Sequence, residues 1–517
     1  ADIWQAFRNV CFDTYKLDSN YYYTAPGLSW DAWLKYSKVE LELLTDMDMV
    51  LMFEKGIRGG ISQIYHRYSR ANNHYMKKYN ENEEETYIVY WDSNNLYGGA
   101  MREKLPYKNF KWNTDTWTAD DILRLDDKGE KGYLFMVDLE YCKELHKSHN
   151  QFAFCPENIA IKKYDLNVWQ QENYSETKIK KLCTTLEDKK DYVVNYRYLK
   201  LALKHGLKLT KVSKCIEYNQ DYIMKSYIDL NTDKRKQAKN DFEKDFYKLM
   251  NNSVFGKTME NVRNRENFNL INTKEELLRV SFKPTYAGNK IFREDLVGIQ
   301  MKKTTVTLNK PIYIGQNILD QSKVTMYSYH YDFMIPKFGI DNINLLFGDT
   351  DSLCYEIRKI DPYVVMNENR EYFDLSEYPK NHLCYDKTNA KTPLKMKDET
   401  KSIPITEFCG LRAKCYAFIK DIDEEDPENI KQNIKKTKIT CKGIKKGVAK
   451  KFKMEQYKAA LFKDEKLYSV QNTFRTDKHV IYTIKQNKLA LSRNDDKRFI
   501  ANNFINTYSF GYVGERI

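Results

Sequence analysis

Ten cysteines are scattered through this 517-residue chain without a single Cys-x-x-Cys pair, and Cys409 and Cys415 are the nearest two. That spacing excludes the usual zinc knuckles and a disulfide framework, and it reads as reduced thiols in an intracellular compartment. An apolar run of about 18 residues is also missing, as is a signal peptide, so no membrane partner is expected. The chain lacks an initiator Met and opens at Ala1, which predicts a piece of something longer. What is present is length, charge and tyrosine. At 517 residues the chain is too long for one core and implies several subdomains. A net charge of +13, 30% charged residues and 40 Tyr favour an anionic partner. Lys interleaved with Tyr suits phosphate contact and base stacking, which makes nucleic acid the favoured partner.

The most informative stretch is Ile343 to Ile357, centred on Phe347-Gly348-Asp349-Thr350-Asp351-Ser352. Two short β-type runs flank an acidic turn, which predicts a hairpin with carboxylates at its tip. Carboxylates two residues apart repel each other, and a fold that keeps both usually supplies a cation. A solvated Asp-rich turn is the common alternative for so short a motif.

Three other stretches keep it company. Tyr87 to Trp91 predicts a strand with Asp92 at its end, and the stretch Ser93 to Met101 after it is expected to turn into a short helix. A third acid at a strand end, beside a two-acid hairpin, suits a two-metal phosphoryl-transfer site, although Asp92 equally suits a helix N-cap. In Thr232 to Gly256, Lys236, Asn240, Lys244, Lys248 and Asn252 recur every four residues. On one helix they form a slowly turning polar stripe, which is either a solvated face or a ladder for a triphosphate. Arg58-Gly59-Gly60 allows close backbone approach to a phosphate or a plain glycine turn. Elsewhere, residues 1 to 56 read as largely helical (Trp4 to Phe12, Asp31 to Glu54), and Tyr65 to Tyr79 as a basic helix. Asp138-Leu139-Glu140 mimics an exonuclease signature, but an alternating edge strand accounts for it and partner acids are lacking.

These elements together resemble family B DNA polymerases. Asp92-x-x-Asn95-Leu96-Tyr97 is similar to motif A, Lys248-x-x-x-Asn252-Ser253-x-Phe255-Gly256 to motif B, and Phe347 to Ser352 to motif C, in the family's order. Arg58-Gly59-Gly60 resembles the Tyr-x-Gly-Gly linker and Lys414-Cys415-Tyr416 the Lys-x-Tyr element. The finer wording, including Met250 to Asn261 and Asp496-Lys497-Arg498, is similar to protein-primed polymerases of Maverick/Polinton elements and related viruses. Three departures stand out: Ile57 for the linker Tyr, Gly98 for a Pro after the motif A Tyr, and Phe255 for the motif B Tyr.

The resemblance implies an α+β right-hand fold with an antiparallel-sheet palm, helical fingers and thumb, and two insertions of the protein-primed branch. Its segments would be 1–56 (end of the exonuclease region and linker), 57–105 (palm, motif A), 106–205 (first insertion), 206–256 (fingers, motif B), 257–300 (second insertion), 301–420 (palm, motif C and Lys-x-Tyr) and 421–517 (thumb). The exonuclease motifs would precede Ala1, leaving this piece without proofreading. Asp92, Asp349 and Asp351 would be catalytic, with Asp92, Asp351 and Ser93 holding two Mg²⁺ ions, or Mn²⁺ in their place. Tyr97 would exclude the ribose 2′-OH. Asn95, Leu96, Lys236, Lys244, Lys248, Asn252 and Phe255 would complete the nucleotide site. Arg58, Gly59, Gly60, Thr350, Lys414, Tyr416, Lys442, Lys445 and Lys446 would touch DNA.

The last three of those belong to a run (Lys431, Lys435, Lys436, Lys438, Lys442, Lys445, Lys446, Lys450, Lys451, Lys453) dense enough to grip a phosphate backbone. The implied partners are primer-template DNA, dNTPs and a terminal (priming) protein, in the nucleus or cytoplasm of an infected or element-carrying cell. Two other functions use the same residues. One is a catalytically inactive nucleic-acid-binding relative; the other is a two-metal nuclease, which needs neither Tyr97 nor the lysine ladder.

Overall fold

A computed structural model describes residues 2–514 apart from 424, 426–434 and 478–479. Lys431 and half of the acidic stretch Asp421 to Glu428 lie outside the described residues. The expected hairpin forms: strand Ile343–Asp349 pairs antiparallel with Ser352–Arg358. It sits inside a six-stranded sheet ordered Ser62–Ile64, Ile343–Asp349, Ser352–Arg358, Thr86–Ser93, Met396–Asp398 and Phe373–Asp374, antiparallel except for the last pair.

Both faces of this sheet are covered, and the alternation of side chains shows how. Tyr87, Val89 and Trp91 join Leu353, Tyr355 and Met326 in the large core on one face. Ile88, Phe347 and Cys354 meet Phe408, Tyr416 and Phe418 on the other. The second layer is a four-stranded sheet of Thr437–Cys441, Cys415–Lys420, Ile405–Arg412 and Tyr68–Arg70. A strand buried on two faces reads as a continuous apolar run, which explains the blunt hydrophobicity of Tyr87 to Trp91. Helix Ile312–Ser328, extended by a π-turn segment Tyr329–Met334, contributes Met326, Tyr327 and Tyr329 to the first face.

Two further sheets flank this centre. Leu105–Asn113, Lys208–Asp221, Lys131–Glu140 and Lys189–Asn195 form one, in that order. Strand Lys208–Asp221 is therefore joined to the segment expected to end at 205, because it pairs along its length with Lys131–Glu140. The other sheet, Asn267–Ile271, Leu296–Met301 and Tyr286–Arg293, closes a small core of its own with Val280. Among the described residues no helix is long and apolar enough to cross a membrane.

Four local expectations fail, each for a physical reason. Asp31 to Glu54 is two helices, Ala25–Ser37 and Met47–Gly56: Lys38 turns left-handed (φ 55°), and Asp46 caps the second helix by accepting from the Asp48 and Met49 amides. Tyr65 to Tyr79 is strand and turns, since Ser62–Ile64 and Tyr68–Arg70 fill edges of the two stacked sheets. Thr232 to Gly256 is broken: helix Lys225–Gln237 stops, and Asn240 caps a new helix, Asp241–Thr258, by accepting from the Glu243 amide. An Asn side chain offering the backbone an alternative partner ends the stripe there. Asp138 and Glu140 lie on an interior strand, between Lys208–Asp221 and Lys189–Asn195, where Asp138 accepts from the Asp191 amide (2.7 Å).

Candidate active site

Asp92, next to last in strand Thr86–Ser93, lies directly opposite Ser352, and the Ser93 amide donates to the Asp351 carbonyl (2.6 Å). Strand pairing thus brings together two acids far apart in sequence. The hairpin tip is tight: the Asp351 amide reaches the Asp349 carbonyl (2.8 Å), and Thr350 is left-handed at φ 68°. That costly conformation for a β-branched residue is held from outside. The Thr350 amide donates to the Ile61 carbonyl (2.8 Å), and a Cβ on Gly60 would sit 2.4 Å from the Thr350 side chain. Gly60 is therefore glycine so that the hairpin tip can seat against it. Gly59 has open space around it.

The cleft beside Asp92 and Asp351 encloses about 270 Å³. Ser93, Asn95, Leu96 and Tyr97 line it from the turn after Asp92, Lys248 and Asn252 from helix Asp241–Thr258. Burial first, then Asp351 and Glu399, push the Asp92 pKa up to about 8, while Lys397 and Lys248 pull it down. Burial likewise raises that of Asp351, with Asp349 and Glu399 adding repulsion and Lys414 opposing. Lys414 forms an ion pair with Asp349, which turns that acid away to a partner of its own. Tyr97 stacks on Phe255 (centroids 4.7 Å apart, 18° between planes), closing one wall with two aromatic rings. Asn95 is left-handed (φ 47°), and a Cβ at Gly98 would fall 1.9 Å from its side chain, which accounts for glycine after Tyr97.

Several expected site residues are elsewhere. Lys236 and Lys244 do not line the cleft; they are exposed and paired with Asp233 (3.8 Å) and Asp241 (3.0 Å), Lys236 on the separate helix before the break and Lys244 one turn before Lys248, in the first turn of helix Asp241–Thr258. Arg58 is turned inward, 7% exposed, donating to the Val193 carbonyl (2.7 Å) and stacked 3.8 Å over Tyr192, so its guanidinium is spent on packing within the protein. Tyr416 is buried under the hairpin, its ring 4.3 Å from that of Phe347. Lys442, Lys445 and Lys446 are exposed on a loop tied to strand Leu467–Asp477, where Gln471 accepts from the Lys445 amide (2.9 Å).

The cleft also holds residues the motifs did not reveal: Arg235, Asn251, Lys397 and Glu399. Arg235 adjoins the expected Lys236 and takes its place. Lys397 stands opposite Asp92 in the sheet and pairs with Glu377 (2.7 Å). Nothing in Met396–Asp398 marks it as a site strand; only its pairing does.

Among the described residues no group of three or more His, Cys, Asp and Glu side chains forms a metal cage. The donors present still fit a hard divalent cation. Asp92 and Asp351 repel each other across a cleft, and the wholly buried Ser93 hydroxyl has no hydrogen-bond partner. Mg²⁺ is held by one or two carboxylates and completes its shell with phosphate oxygens and water.

Comparison with known proteins agrees with this geometry. No curated protein sequence matches the chain. Among solved structures, phi29 DNA polymerase with primer-template DNA and incoming nucleotides matches at TM-score 0.53 and 14% identity, over 91% of this chain and 68% of that one. Its binary complex with primer-template DNA matches at TM-score 0.55 and 14% identity, over 94% and 70%. This establishes the fold, a mixed α+β architecture with antiparallel sheets. The model of the family described as DNA polymerase type B, organellar and viral, matches residues 1–336, well over half the length, and the chain belongs to that family.

Proposed function

We propose that the chain is a DNA-templated DNA polymerase that adds dNTPs to a primer 3′-OH by two-metal phosphoryl transfer, in protein-primed replication of a Polinton-like or viral element. One observation carries the reading: Asp92, Asp351, Lys248, Asn252 and the Tyr97–Phe255 stack, spread over three motifs, line one cleft or its wall. Bound Mg²⁺ would be held by Asp92 and Asp351 with Ser93 and would supply charge neutralisation at the triphosphate and activation of the 3′-OH.

The chain's own groups then have distinct tasks. Lys248 and Arg235 bring positive charge to the triphosphate side, and Asn252 offers an amide donor. Tyr97 lies under the sugar and excludes a 2′-OH, while Phe255 carries the base pair. Lys414 holds Asp349 and so steadies the hairpin tip. The exposed Lys442, Lys445 and Lys446 grip the duplex backbone, each phosphate contact adding salt dependence. The central sheet acts as palm, helices Lys225–Gln237 and Asp241–Thr258 as fingers, the two flanking sheets as the insertions, and the segment from 435 onward as thumb. The first insertion faces the terminal protein. The nucleus or cytoplasm of the carrying cell is the site of action.

Primer extension with Mg²⁺, run beside nuclease assays on the same preparation, tests this. Template-directed extension supports it. Degradation without extension favours the nuclease, and DNA binding with neither activity favours an inactive relative.

A further inference from the structure

Beneath the hairpin tip lies a buried cluster of charges that the reaction itself does not use. Lys323, on helix Ile312–Ser328, is 5% exposed. Its ammonium donates to the Arg58 carbonyl (2.8 Å) and the Leu319 carbonyl (3.1 Å) and lies 3.8 Å from Asp320. Asp320 is also buried and accepts from the Asn195 amide (2.9 Å) and the Gln316 side chain (2.7 Å). The inward-turned Arg58 adds a second cation, so the cluster holds two positive groups and one negative. Burial pushes the Lys323 pKa down to about 8, with Asp320 opposing. An ion taken out of water costs several kcal/mol even after relaxation. A methionine would fill the same space at no such cost, so the lysine needs a reason beyond packing.

Its location supplies one. Arg58 is two residues before Gly60, the residue against which Thr350 seats. Lys323 shares a small void with Gly60, Asp349 and Thr350. We infer that Lys323 is a positioning residue: by holding the Arg58 carbonyl it sets the height of the Arg58-Gly59-Gly60 segment, and through Gly60 and the Ile61 carbonyl it sets the place of the Asp349-Thr350-Asp351 turn. The connection runs from the ammonium through one hydrogen bond, two glycines and one backbone contact to the catalytic acids. A merely charge-balancing lysine would need Asp320 but not Arg58. This inference rests on the polymerase reading, since it concerns where the acids stand for that reaction.

The test is single-nucleotide incorporation by the whole chain, with melting temperature recorded for every variant. Wild type and Asp351→Asn come first: an inactive wild type defeats the polymerase reading and leaves Lys323 out of account. Given an active wild type, Lys323→Met is expected to lower kcat by about 10-fold or more, since a displacement of around 1 Å at the reacting groups can cost about 100-fold. KM for dNTP and primer-template affinity should stay within about two-fold, as expected when only transition-state alignment is lost. Asp320→Asn keeps the Lys323–Arg58 contact and should retain the wild-type kcat. The double variant Lys323→Met/Asp320→Asn removes the stranded charge and should stay slow. Wild-type kcat in Lys323→Met overturns the inference. So does recovery in the double variant, or an Asp320→Asn as slow as Lys323→Met, because the lysine would then only neutralise Asp320. If neither variant lacking Lys323 folds, the lysine serves stability and the positioning role is rejected.

Discussion

Two of the chain's antiparallel hairpins share a local grammar and live in opposite surroundings. Ile343–Asp349 and Ser352–Arg358 are buried on both faces, and their turn is gripped by Gly60, the Ile61 carbonyl and Lys414. Leu467–Asp477 and Val480–Leu491 run longer and stand largely in solvent, with Phe474 76% and Ile481 70% exposed. The first hairpin can therefore keep a left-handed Thr350 and facing carboxylates, because packing over-determines the backbone. The second is held chiefly by its own ladder of cross-strand pairs, each contributing only a fraction of a kcal/mol. Precision is concentrated where chemistry is proposed, and the long arm is left mostly to solvent.

The hardest blow to that contrast comes at the tip itself. Asp351→Asn should abolish Mg²⁺-dependent incorporation, a loss of orders of magnitude, with primer-template binding changed only a few-fold. Paired extension and DNA-binding assays check this, and near-normal extension would remove the hairpin from the chemistry. Next in size, if Tyr97 acts as proposed, Tyr97→Val should raise ribonucleotide incorporation strongly and affect dNTP use much less, because the proposed role sets that ring against a 2′-OH. Incorporation of each nucleotide, with a melting curve to show the variant folded, decides it.

Backbone grip is sharpened by two neighbouring glycines. Gly60→Ala, whose Cβ meets Thr350, should destabilise by about 1–3 kcal/mol and slow extension. Gly59→Ala, in open space, should change stability by about 0.5 kcal/mol at most. Urea unfolding of the pair measures the difference, and equal effects would show that the tip is not seated on Gly60.

A pH experiment probes the same site without substrate. The folded pKa of Asp92 lies near 8, above its ordinary value of 3.8, so the folded protein penalises the ionised form. Metal-free stability should therefore fall as pH rises from about 4 to about 8. Asp92→Asn should lessen that decline, leaving the part due to Asp351, and should melt higher than wild type at pH 8 in EDTA and differ less at pH 4. A variant that melts lower at pH 8 contradicts the burial argument. The smallest effect belongs to the exposed hairpin: Phe474→Ser should shift stability by about 0.5 kcal/mol or less. A large loss there would mean the arm is packed after all.

Much of the site was readable as local pattern. The strand before Asp92, the hairpin around Asp349 and Asp351, and the short helix from Leu96 all depend on neighbours in sequence, and all form. The errors share a cause in longer-range packing. Tyr65 to Tyr79 has helical residues yet fills sheet edges, and the Lys236–Asn252 stripe is cut where Asn240 caps a new helix. Arg58 carries a charge that suggests phosphate, but Tyr192 and Val193 from a distant strand draw it inward.

By itself, then, the order of residues determined which groups exist and how they are spaced along three motifs, because turn chemistry and alternation act over a few residues. Tertiary structure alone decided which of them meet. The pairing of Ser352 with Asp92 made one cleft from two segments, and the pairing of Lys397 with Asp92 added a cation from an unmarked strand. Burial then decided which charges keep to solvent, as with Lys244, and which are locked inside, as with Lys323. Proximity across hundreds of residues and the dielectric it creates have no local signature, since both arise only when the sheets close.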